Sequence, residues 1–598
     1  MGSFAALFTR SGRPDPSVVR RMLAASPHRG TEVRLHVCGR AVLGVSNQPE
    51  WVDSTIASSG EFAAAVSGRL LNVGELTKAL ARAGVHVTST NCADIMLALF
   101  RAFGPKAANR LRGDVAAVVT DGRCLWCVRD HLGIRPFFYR DQPNAFFAAT
   151  EAKQVLAGAG LDREPNLEVL ERILYGGMPE DMPSAYRGVN RLPKTTRLAV
   201  LPTGIGAPEV YWDPASLLET ARITPEEVEQ RFTELFDQAV SRGLTGADVV
   251  SLSGGVDSPA VAAFAAPHYK SMTGQPLPAL SIVFPDLPKV DERSYIETVT
   301  QYLGMTLHTH SLKARAVDDL EHWCTLFDGP IPTLNAPQLL EFYTEAKRLG
   351  FTNVLTGELA EPVVDLTNHL PGHLLVHGRW SALAKLLRTQ RHQGTSVKAM
   401  AMQLATPLVP GRVALWYLST RSADFRRRFP DWLHESKFSQ VPYRRDLKAP
   451  GHRRWLAFQT LPFRGCPITM EAGDMCTALA GVTVSRPFID IDLWEFFLSL
   501  PAEIKHPDQK SKTLLRHLLR GRVPDRILDR RDKTVFNEHA LSQIDYPLLR
   551  RYLVNPRYRM PGVNYPVLAS RLDRQDFTIV DLRWANDLVR IHAFMNQW

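Results

Sequence analysis

The residues most clearly suited to chemistry are the run Ser253-Gly254-Gly255-Val256-Asp257-Ser258, which follows a short apolar stretch and precedes an alanine-rich one. The two glycines allow backbone angles that other residues resist and let a ligand approach the main chain closely. Pro259 is typical of the first turn of a helix, so the loop would present free N–H groups at a positive helix end. This pattern predicts a phosphate cradle, and Asp257 adds a carboxylate that can hold Mg²⁺ beside the phosphates.

The elements around this loop predict a parallel sheet. Four apolar segments alternate with helical patterns: VVSLS, ALSIVF, TLHTHSL and NVLTGE. Alternation of this kind is typical of parallel α/β domains, in which ligands gather at the carboxyl ends of the strands. The preceding helix is predicted to start at Thr224, because Glu227 stands three residues later in a capping-box pattern.

The first 205 residues have a different pattern. Short strands and turns are predicted for FAAAVSGRLLNV, RLRGDVAAVVTDG and CLWCVRDHLGIRPFFYR, and a helix for residues 15–26. The stretch 203–227 is rich in Gly, Pro and residues that start helices, so we place the domain boundary there. The prediction is therefore a domain of residues 1–205 and a second of residues 206–598, whose last third, from about residue 370, is mostly helical.

Composition excludes some classes of protein. The chain has 598 residues, 45% hydrophobic and 22% charged, and no uninterrupted apolar run approaches the roughly 18 residues of a membrane span. Seven scattered cysteines indicate reduced thiols and a cytoplasmic location. The C-x-x-C spacing at 124–127 lies in a strand-like run and lacks the further ligands that zinc needs, so we interpret it as structural. The net charge of +10 is weak evidence for an anionic partner when it is spread over this length.

The glycine loop resembles that of the ATP pyrophosphatases, which split ATP between its α and β phosphates and transfer AMP to an acyl or carbonyl oxygen. Further segments match the asparagine synthetase (glutamine-dependent type) and β-lactam synthetase family in the same order along nearly the whole chain. They are HRG (28–30), RDHLGIRPFFYR (129–140), DERSYIETV (291–299), VLTGELAE (354–361), RPFID (486–490) and RRDKTVF (530–536). This resemblance implies an N-terminal Ntn-hydrolase-like αββα antiparallel sandwich. It also implies a C-terminal PP-loop (adenine nucleotide α-hydrolase-like) parallel α/β domain with extra helices.

The same resemblance implies the site residues and the cofactors, ATP and Mg²⁺. Nucleotide binding is expected at Leu252, Ser253, Gly254, Gly255, Asp257, Ser258, Val283, Gly357 and Lys512. Asp257 and Glu361 are the expected metal ligands, although the family has an aspartate where this chain has Glu361. Glu358 matches a residue that lies near the incoming amine and can act as a base. Lys533 matches a lysine that neutralises charge on the tetrahedral intermediate, as a fixed ammonium beside a developing oxyanion would.

The N-terminal segment departs from the family. The glutaminase nucleophile of these enzymes is a cysteine at position 2, where this chain has Gly2, which has no side chain. The arginine that grips glutamine is absent from AVLGVSNQPEW (41–51), although Arg40 lies just before it. Gly68-Arg69-Leu70 replaces the family's Asn-Gly-Glu. We therefore expect a domain that keeps its fold and does not hydrolyse glutamine.

An adenylating domain without its own ammonia source needs another amine. Two branches of the family use an amine of the substrate itself: β-lactam-type synthetases, and lasso-peptide macrolactam cyclases that join a peptide's N-terminus to an Asp or Glu side chain. The region at about 375–465 is basic and contains scattered aromatic residues, which favours a peptide substrate and hence the macrolactam cyclase. Its partners would be a precursor (core) peptide, a leader peptidase and a leader-recognition protein, with no nucleic acid and no membrane.

Other functions remain open from the sequence. An ammonia-dependent, asparagine-synthetase-like amidotransferase and a β-lactam-synthetase-like small-molecule cyclase are both compatible with the loop. A tRNA-modifying enzyme would fit the net charge, but it predicts a zinc site or a catalytic cysteine pair near the loop, which the sequence lacks. An inactive scaffold is disfavoured by the intact SGGVDS run and by Lys533.

Overall fold

The computed structural model describes residues 2–50, 52–176, 183–288, 290–314, 319–360, 370–392, 394–405, 408–410, 430–434, 469–505, 512–530 and 544–598. Thirteen strands belong to the N-terminal part of these residues. They are β1 (Ser3–Thr9), β2 (Glu32–Cys38), β3 (Ala41–Asn47), β4 (Ser54–Ser59), β5 (Phe62–Leu70), β6 (Gly113–Thr120), β7 (Leu125–Arg129), β8 (Phe138–Asp141), β9 (Ala145–Ala149), β10 (Asn190–Arg191), β11 (Thr196–Leu201), β12 (Gly204–Ile205) and β13 (Glu209–Val210). Five helices accompany them: α1 (Pro16–Ala24), α2 (Val73–Arg82), α3 (Cys92–Phe103), α4 (Ala152–Ala159) and α5 (Leu167–Gly176).

These strands form two antiparallel sheets that pack face to face. One has the order β10-β8-β9-β1-β3-β2, and the other has the order β12-β11-β7-β6-β5-β4, with β13 paired to β11. Alternate side chains of each strand point to opposite faces, so Phe4 and Phe8 of β1 face the second sheet while Leu7 faces α1 and α4. On the second sheet Val66 packs outward beneath α2 and α3. The layers are helix, sheet, sheet, helix, which confirms the predicted αββα sandwich.

The second region is built on a five-stranded parallel sheet with the order β16-β15-β14-β17-β18. Its strands are β14 (Asp248–Ser251), β15 (Pro278–Ile282), β16 (Thr306–His310), β17 (Asn353–Leu355) and β18 (Thr483–Ser485). The four predicted strands and their parallel pairing are confirmed. The fifth strand was not predicted, because three residues are too few to show a period.

Fifteen helices of the second region are described. They are α6 (Pro225–Gly243), α7 (Asp257–Thr273), α8 (Arg293–Leu303), α9 (Leu320–Phe327), α10 (Ala336–Arg348), α11 (Leu370–Val376), α12 (Trp380–His392), α13 (Val397–Ala405), α14 (Ile491–Ser499), α15 (Ala502–Lys505), α16 (Thr513–Leu518), α17 (Asp525–Leu528), α18 (Tyr546–Leu553), α19 (Tyr565–Arg574) and α20 (Ile579–Met595). The predicted start of α6 is confirmed, since Thr224 Oγ1 accepts the Glu227 N–H and Glu227 Oε2 accepts the Thr224 N–H.

The two regions share one apolar cluster. Helix α20 lies against α5 and α9, and the ring centroids of Tyr186 and Phe594 are 5.7 Å apart. The division at residue 205 stays a prediction, and β13 at Glu209–Val210 still pairs with the N-terminal sheet. The two regions are therefore joined by apolar packing.

The C-x-x-C segment at 124–127 runs into a sheet. Cys127 lies in β7, and burial raises the pKa of its thiol, as expected of a structural cysteine rather than a reactive one. Within the described residues, no helix combines the length and apolar character required to cross a bilayer.

Candidate active site

Four chain segments meet at the carboxyl edge of the parallel sheet. The SGGVDS loop follows β14, Val283 follows β15, Gly357 and Glu358 follow β17, and Arg486 follows β18. Because β14 lies between β15 and β17, the glycine loop is central in this group. The sheet therefore brings together the loop, Val283, Gly357 and Glu358, as the sequence predicted for a ligand site in this class of fold.

The loop is held by its own serines. The Ser253 N–H donates to Ser258 Oγ at 2.8 Å, and the two hydroxyl oxygens lie 3.0 Å apart. The Leu252 N–H donates to the Leu280 carbonyl at 3.1 Å, which anchors the start of the loop to β15. Ser253 remains exposed, while Ser258 is buried in the first turn of α7. The first N–H groups of a helix have no partner within it, so this turn is available to an anion.

Two glycines of the site are closely packed against their neighbours. A β-carbon on Gly357 would lie 2.5 Å from the Ser258 nitrogen and 2.9 Å from the Asp257 β-carbon, so β17 ends directly against the loop. A β-carbon on Gly254 would lie 2.9 Å from Arg530 Nη1. Substitution of Gly357 would push the loop away from β17, whereas substitution of Gly254 would first displace the end of the Arg530 side chain.

Lys512 reaches the loop from a distant segment. Its ammonium donates to Asp257 Oδ2, and its backbone adopts a left-handed φ of 60° immediately before α16. Arg516, one turn farther along α16, also lies near Asp257, although burial lowers its pKa from the ordinary value. These cations would neutralise phosphate charge at the loop, and the contact supports the predicted place of Lys512 there.

Glu292 and Arg530 contact the glycine loop, and neither was predicted from the sequence. The Gly254 N–H donates to Glu292 Oε2 at 3.0 Å, so this N–H is directed at an anionic oxygen. Arg530 Nη1 donates to the Gly254 carbonyl and to Glu292 Oε1, both at 2.8 Å, and its guanidinium lies 4.1 Å from the centroid of the Tyr295 ring. Glu292 lies in the segment DERSYIETV and Arg530 in RRDKTVF, both of which match the family. The sequence did not indicate which residues of these segments would contact the loop.

Glu358 is held by a residue that the sequence did not single out. Arg486 Nε donates to Glu358 Oε2 at 2.8 Å, and the guanidinium is buried while the carboxylate is 42% exposed. Burial alone would lower the pKa of Arg486, but Glu358 and Tyr343 outweigh it and raise the pKa. Burial also raises the pKa of the Tyr343 phenol. Arg486 is the first residue of the RPFID segment, which matches the family. The match did not indicate that its partner would be Glu358.

The residues present fit ATP with Mg²⁺. The loop offers main-chain N–H groups, its surroundings offer Lys512 and Arg530, and Asp257 offers a carboxylate at the helix start. Nucleotide-bound Mg²⁺ needs only one or two protein carboxylates, because the phosphates and water supply the rest. The described residues contain no group of three His, Cys, Asp or Glu side chains able to hold a metal by themselves. Glu361 and Lys533 lie outside the described residues, so their predicted roles stay predictions.

A second site of interest surrounds Gly2. The Gly2 N–H donates to Asp53 Oδ1 at 2.6 Å, in a buried pocket formed by β1, β3 and β4. A β-carbon on Gly2 would lie 2.3 Å from the Ser46 carbonyl oxygen, 2.5 Å from Asn47 Oδ1 and 2.8 Å from Ser54 Oγ. The nearest of these atoms belongs to the main chain of β3, which cannot move aside without shifting the sheet. The pocket has no space for a side chain at position 2.

A chain of buried ion pairs leads from this pocket into the second region. Arg135 bridges Asp53 and Asp474 at 2.9 and 3.0 Å, and Arg29 bridges Asp474 and Glu151 at 2.7 and 2.5 Å. Every side chain in it is at most 4% exposed. Burial alone would raise the pKa of Asp53, but the Arg135 guanidinium outweighs it and holds that pKa below its usual range. Burial acts likewise on Glu151, where Lys153 and Arg29 hold the pKa well below its usual range.

Arg40 does not lie in the Gly2 pocket. It precedes β3, at the end of the β1–β3 ladder where Phe8 pairs with Ala41, while Ser3 pairs with Ser46 at the other end. Five residues of extended strand separate these ends by about 17 Å. Arg40 Nη1 instead donates to the Arg10 carbonyl at 2.7 Å. Arg40 is therefore not positioned to bind a ligand in the Gly2 pocket.

Comparison with known proteins identifies both regions. The asparagine synthase family profile matches residues 231–566, and a glutamine amidotransferase domain profile matches residues 1–212. Asparagine synthetase [glutamine-hydrolyzing] 3 of Bacillus subtilis is 26% identical over 492 residues, covering 78% of this chain and 74% of that protein. Amidase chyE of Penicillium rubens is 26% identical over 361 residues, covering 55% of this chain and 52% of that protein.

Among solved structures, glutamine phosphoribosylpyrophosphate amidotransferase from B. subtilis covers 53% of this chain and 67% of its own, at 14% identity and a TM-score of 0.27. A score this low carries no argument, and the assignment comes from the sequence match. The asparagine synthase profile alone spans more than half of the 598 residues. The chain belongs to the asparagine synthase family.

Proposed function

We propose that this protein uses ATP to activate a carboxyl group of a peptide and then joins that carboxyl to an amine of the same peptide, as lasso-peptide macrolactam cyclases do. Family members are ATP-dependent ligases that form AMP. The carboxylate attacks the α-phosphate, PPi leaves, and the amine then displaces AMP from the acyl group. The amide bond forms, the acyl–phosphate bond breaks, and the proton of the amine passes to a base.

The glycine loop supports the first step. Its N–H groups, Lys512 and Arg530 would hold the phosphates, and Mg²⁺ held by Asp257 and Glu361 would neutralise charge on the departing pyrophosphate. Glu358, held by Arg486 at 2.8 Å, would take the proton of the amine. Lys533 would stabilise the tetrahedral oxyanion before AMP leaves. These roles come from the family resemblance, and the positions of the described residues are compatible with them.

The observation that carries the proposal is that the pocket around Gly2 has no room for a side chain. A glutaminase of this type needs a thiol at position 2, and here the first atom of any side chain would lie 2.3 Å from a main-chain oxygen. The pocket is packed closely around a glycine, so a cysteine at position 2 would also require the surrounding backbone to move. We therefore infer that the N-terminal domain does not hydrolyse glutamine, although its fold belongs to that class.

The buried ion pairs support the same inference. A β-carbon at position 68 would lie 1.8 Å from the Asp114 carbonyl oxygen and 2.9 Å from Arg135 Nε, so a residue larger than glycine does not fit beside this network. The ion pairs of Asp53, Arg135, Asp474 and Arg29 link the Gly2 pocket to the second region, and buried charged groups of this kind are costly to separate. Their arrangement favours a structural role for the N-terminal domain.

An amine of the same substrate then replaces ammonia. Holding both reacting groups on one molecule makes the closure effectively unimolecular, which offsets much of the entropic cost of bringing them together. The peptide would be a precursor (core) peptide, and a leader peptidase and a leader-recognition protein would prepare it. Neither a membrane nor a nucleic acid has a role in this reaction.

A second candidate is an amidotransferase that uses free ammonia. Glu358 favours it over a β-lactam-synthetase-like enzyme, because that branch has a tyrosine at the corresponding position. The asparagine synthetase of B. subtilis among the relatives is in keeping with it. Aspartate plus ammonium would then be turned over without any peptide.

The test is the carboxyl dependence of AMP formation. Purified protein with ATP and MgCl₂ should release AMP and PPi when it receives a peptide that carries a free α-amine and an Asp or Glu farther along. Lys533→Ala should bind the peptide and form no cyclic product. Turnover of aspartate and ammonium, with none of the peptide, would replace this proposal by the second candidate.

A further inference from the structure

Helices α11, α12 and α13, residues 370–405, form a small unit with an unusual charge. This segment contains five Lys or Arg residues and no Asp or Glu. We call it the basic helical unit. It has its own apolar core of Leu370, Leu374, Leu383 and Leu386, and His373 joins it to Glu219 of the interdomain linker at 3.0 Å.

Four of its cations are exposed and lack a carboxylate partner among the residues that the structure describes: Lys385, Arg388, Arg391 and Lys398. Some exposed arginines on other helices have a carboxylate partner, for example Arg348 with Glu345 at 2.7 Å. Positions 385, 388 and 391 recur every three residues, so they share one face of α12. That face is therefore a row of positive charge in a segment that contains no acidic residue.

The row leads into an apolar cavity. A space of about 630 Å³ lies between the basic helical unit, α6 and α16. Its walls are mostly aliphatic, with Val228, Leu374 and Leu518 on three different helices, and Lys385 and His517 are the ionisable residues in its described lining. A volume of this size suits several side chains of an extended ligand.

One wall of the cavity lies next in sequence to a residue that contacts the nucleotide loop. Thr513 lies in its wall, and the preceding residue, Lys512, donates to Asp257 of the loop. A ligand lying in the cavity would therefore have one end within reach of the site where a carboxyl is activated. Lys385 belongs to both the cation row and the cavity lining, and Thr513 of the cavity wall follows Lys512, so the row, the cavity and the loop adjoin one another; together they are called the path.

We propose that this path binds the substrate polypeptide through a segment that carries carboxylate side chains among apolar ones. The apolar side chains enter the aliphatic cavity, and the carboxylates lie along Lys385, Arg388 and Arg391. Nucleic acid fits less well, because the cavity offers aliphatic walls where bases would need aromatic stacking surfaces. The assignment rests on the proposed function only in taking this polypeptide to be the substrate.

The experiment measures binding to the full chain by fluorescence anisotropy. The probes are two fluorescein-labelled peptides of equal length, in which Leu alternates with Glu or with Gln, and a labelled oligo-dT. The triple variant Lys385→Gln, Arg388→Gln, Arg391→Gln removes the row. The control Arg20→Gln, Arg21→Gln, Lys78→Gln removes the same number of exposed charges from helices of the N-terminal domain.

The Glu peptide should bind about tenfold more tightly than the Gln peptide, the triple variant should lose about that factor, and the control should lose none. Equal binding of the two peptides, no binding, or an unchanged triple variant would overturn the proposal. Tighter binding of oligo-dT that depends on the same three residues would assign the path to nucleic acid instead. Peptide binding by a protein that forms no AMP would contradict the proposed function and leave this surface intact.

Discussion

Arg486 Nε and Glu358 Oε2 lie 2.8 Å apart at the carboxyl ends of β18 and β17, and this contact links the candidate base to the interior of the protein. Arg486 is 6% exposed and Glu358 is 42% exposed, so the arginine is the fixed partner. It holds the carboxylate in one orientation beside the nucleotide loop. Arg486 is thus a positioning residue for the proposed reaction, and its effect should be separable from nucleotide binding.

Replacement of Arg486 should slow amide formation more than it affects activation. In Arg486→Met the hydrogen bond is lost, and closure should slow roughly tenfold, a modest factor because Glu358 is partly solvated. The peptide-dependent exchange of labelled PPi into ATP should stay near the wild-type rate. Arg486→Lys should recover part of the closure rate. Equal losses in exchange and closure would contradict a positioning role.

Asp257 should be indispensable for activation. Asp257→Asn keeps the shape of the side chain and removes the charge that holds Lys512 and would hold Mg²⁺, so ATP–PPi exchange should fall below detection. Asp237→Asn is a suitable control, since Asp237 pairs with His268 on α7 at the protein surface. The control should keep the wild-type rate. Measurable exchange by Asp257→Asn at saturating MgCl₂ would contradict the assignment.

Restoring a cysteine at position 2 should not restore glutaminase activity. Gly2→Cys forces a β-carbon against the Ser46 carbonyl, and this overpacking should cost about 1–3 kcal/mol of unfolding free energy. Glutamate release from glutamine should remain at background for wild type and variant alike, and thermal unfolding should shift downward. Rapid glutamate release by either protein would show that the pocket accepts a nucleophile after all.

The buried ion pairs should stabilise the joined regions. Asp474→Asn removes the carboxylate that Arg29 and Arg135 share and leaves each with one remaining partner, so the buried network gains one excess positive charge, which should cost about 3 kcal/mol in urea unfolding. Asp587→Asn, which removes the partner of Arg590 on α20, provides a comparison at a single pair. A loss below that of the comparison would contradict a central role for Asp474.

Acid should weaken the same network. The folded-state pKa values of Asp53 and Glu151 lie below their unfolded values, so their contribution is complete above the unfolded pKa of about 4. It is lost as the pH falls through the lower, folded-state values. The unfolding free energy of wild type should therefore fall in acid more steeply than that of Asp53→Asn, which lacks one of these two carboxylates. Parallel pH curves would contradict this origin.

The local part of the site could be predicted from sequence, because it is one continuous segment. The strand, the glycine pair and the helix start around Ser253 follow each other along the chain, as do the capping pair Thr224 and Glu227. Arg486, Glu292 and Arg530 could not be assigned, since their partners come from distant segments. The closed pocket at Gly2 results from the packing of β3 and β4 against β1. This packing cannot be predicted from the type of any single residue.

The most direct measurement follows the nitrogen of the new amide. The protein is incubated with ATP, MgCl₂, a candidate peptide, isotopically labelled ammonium and side-chain-labelled glutamine, and the product is examined by mass spectrometry. We predict a peptide that is lighter by one water, contains no label, and forms in a one-to-one ratio with AMP. A linear peptide or aspartate carrying the labelled nitrogen would contradict closure by an amine of the same substrate.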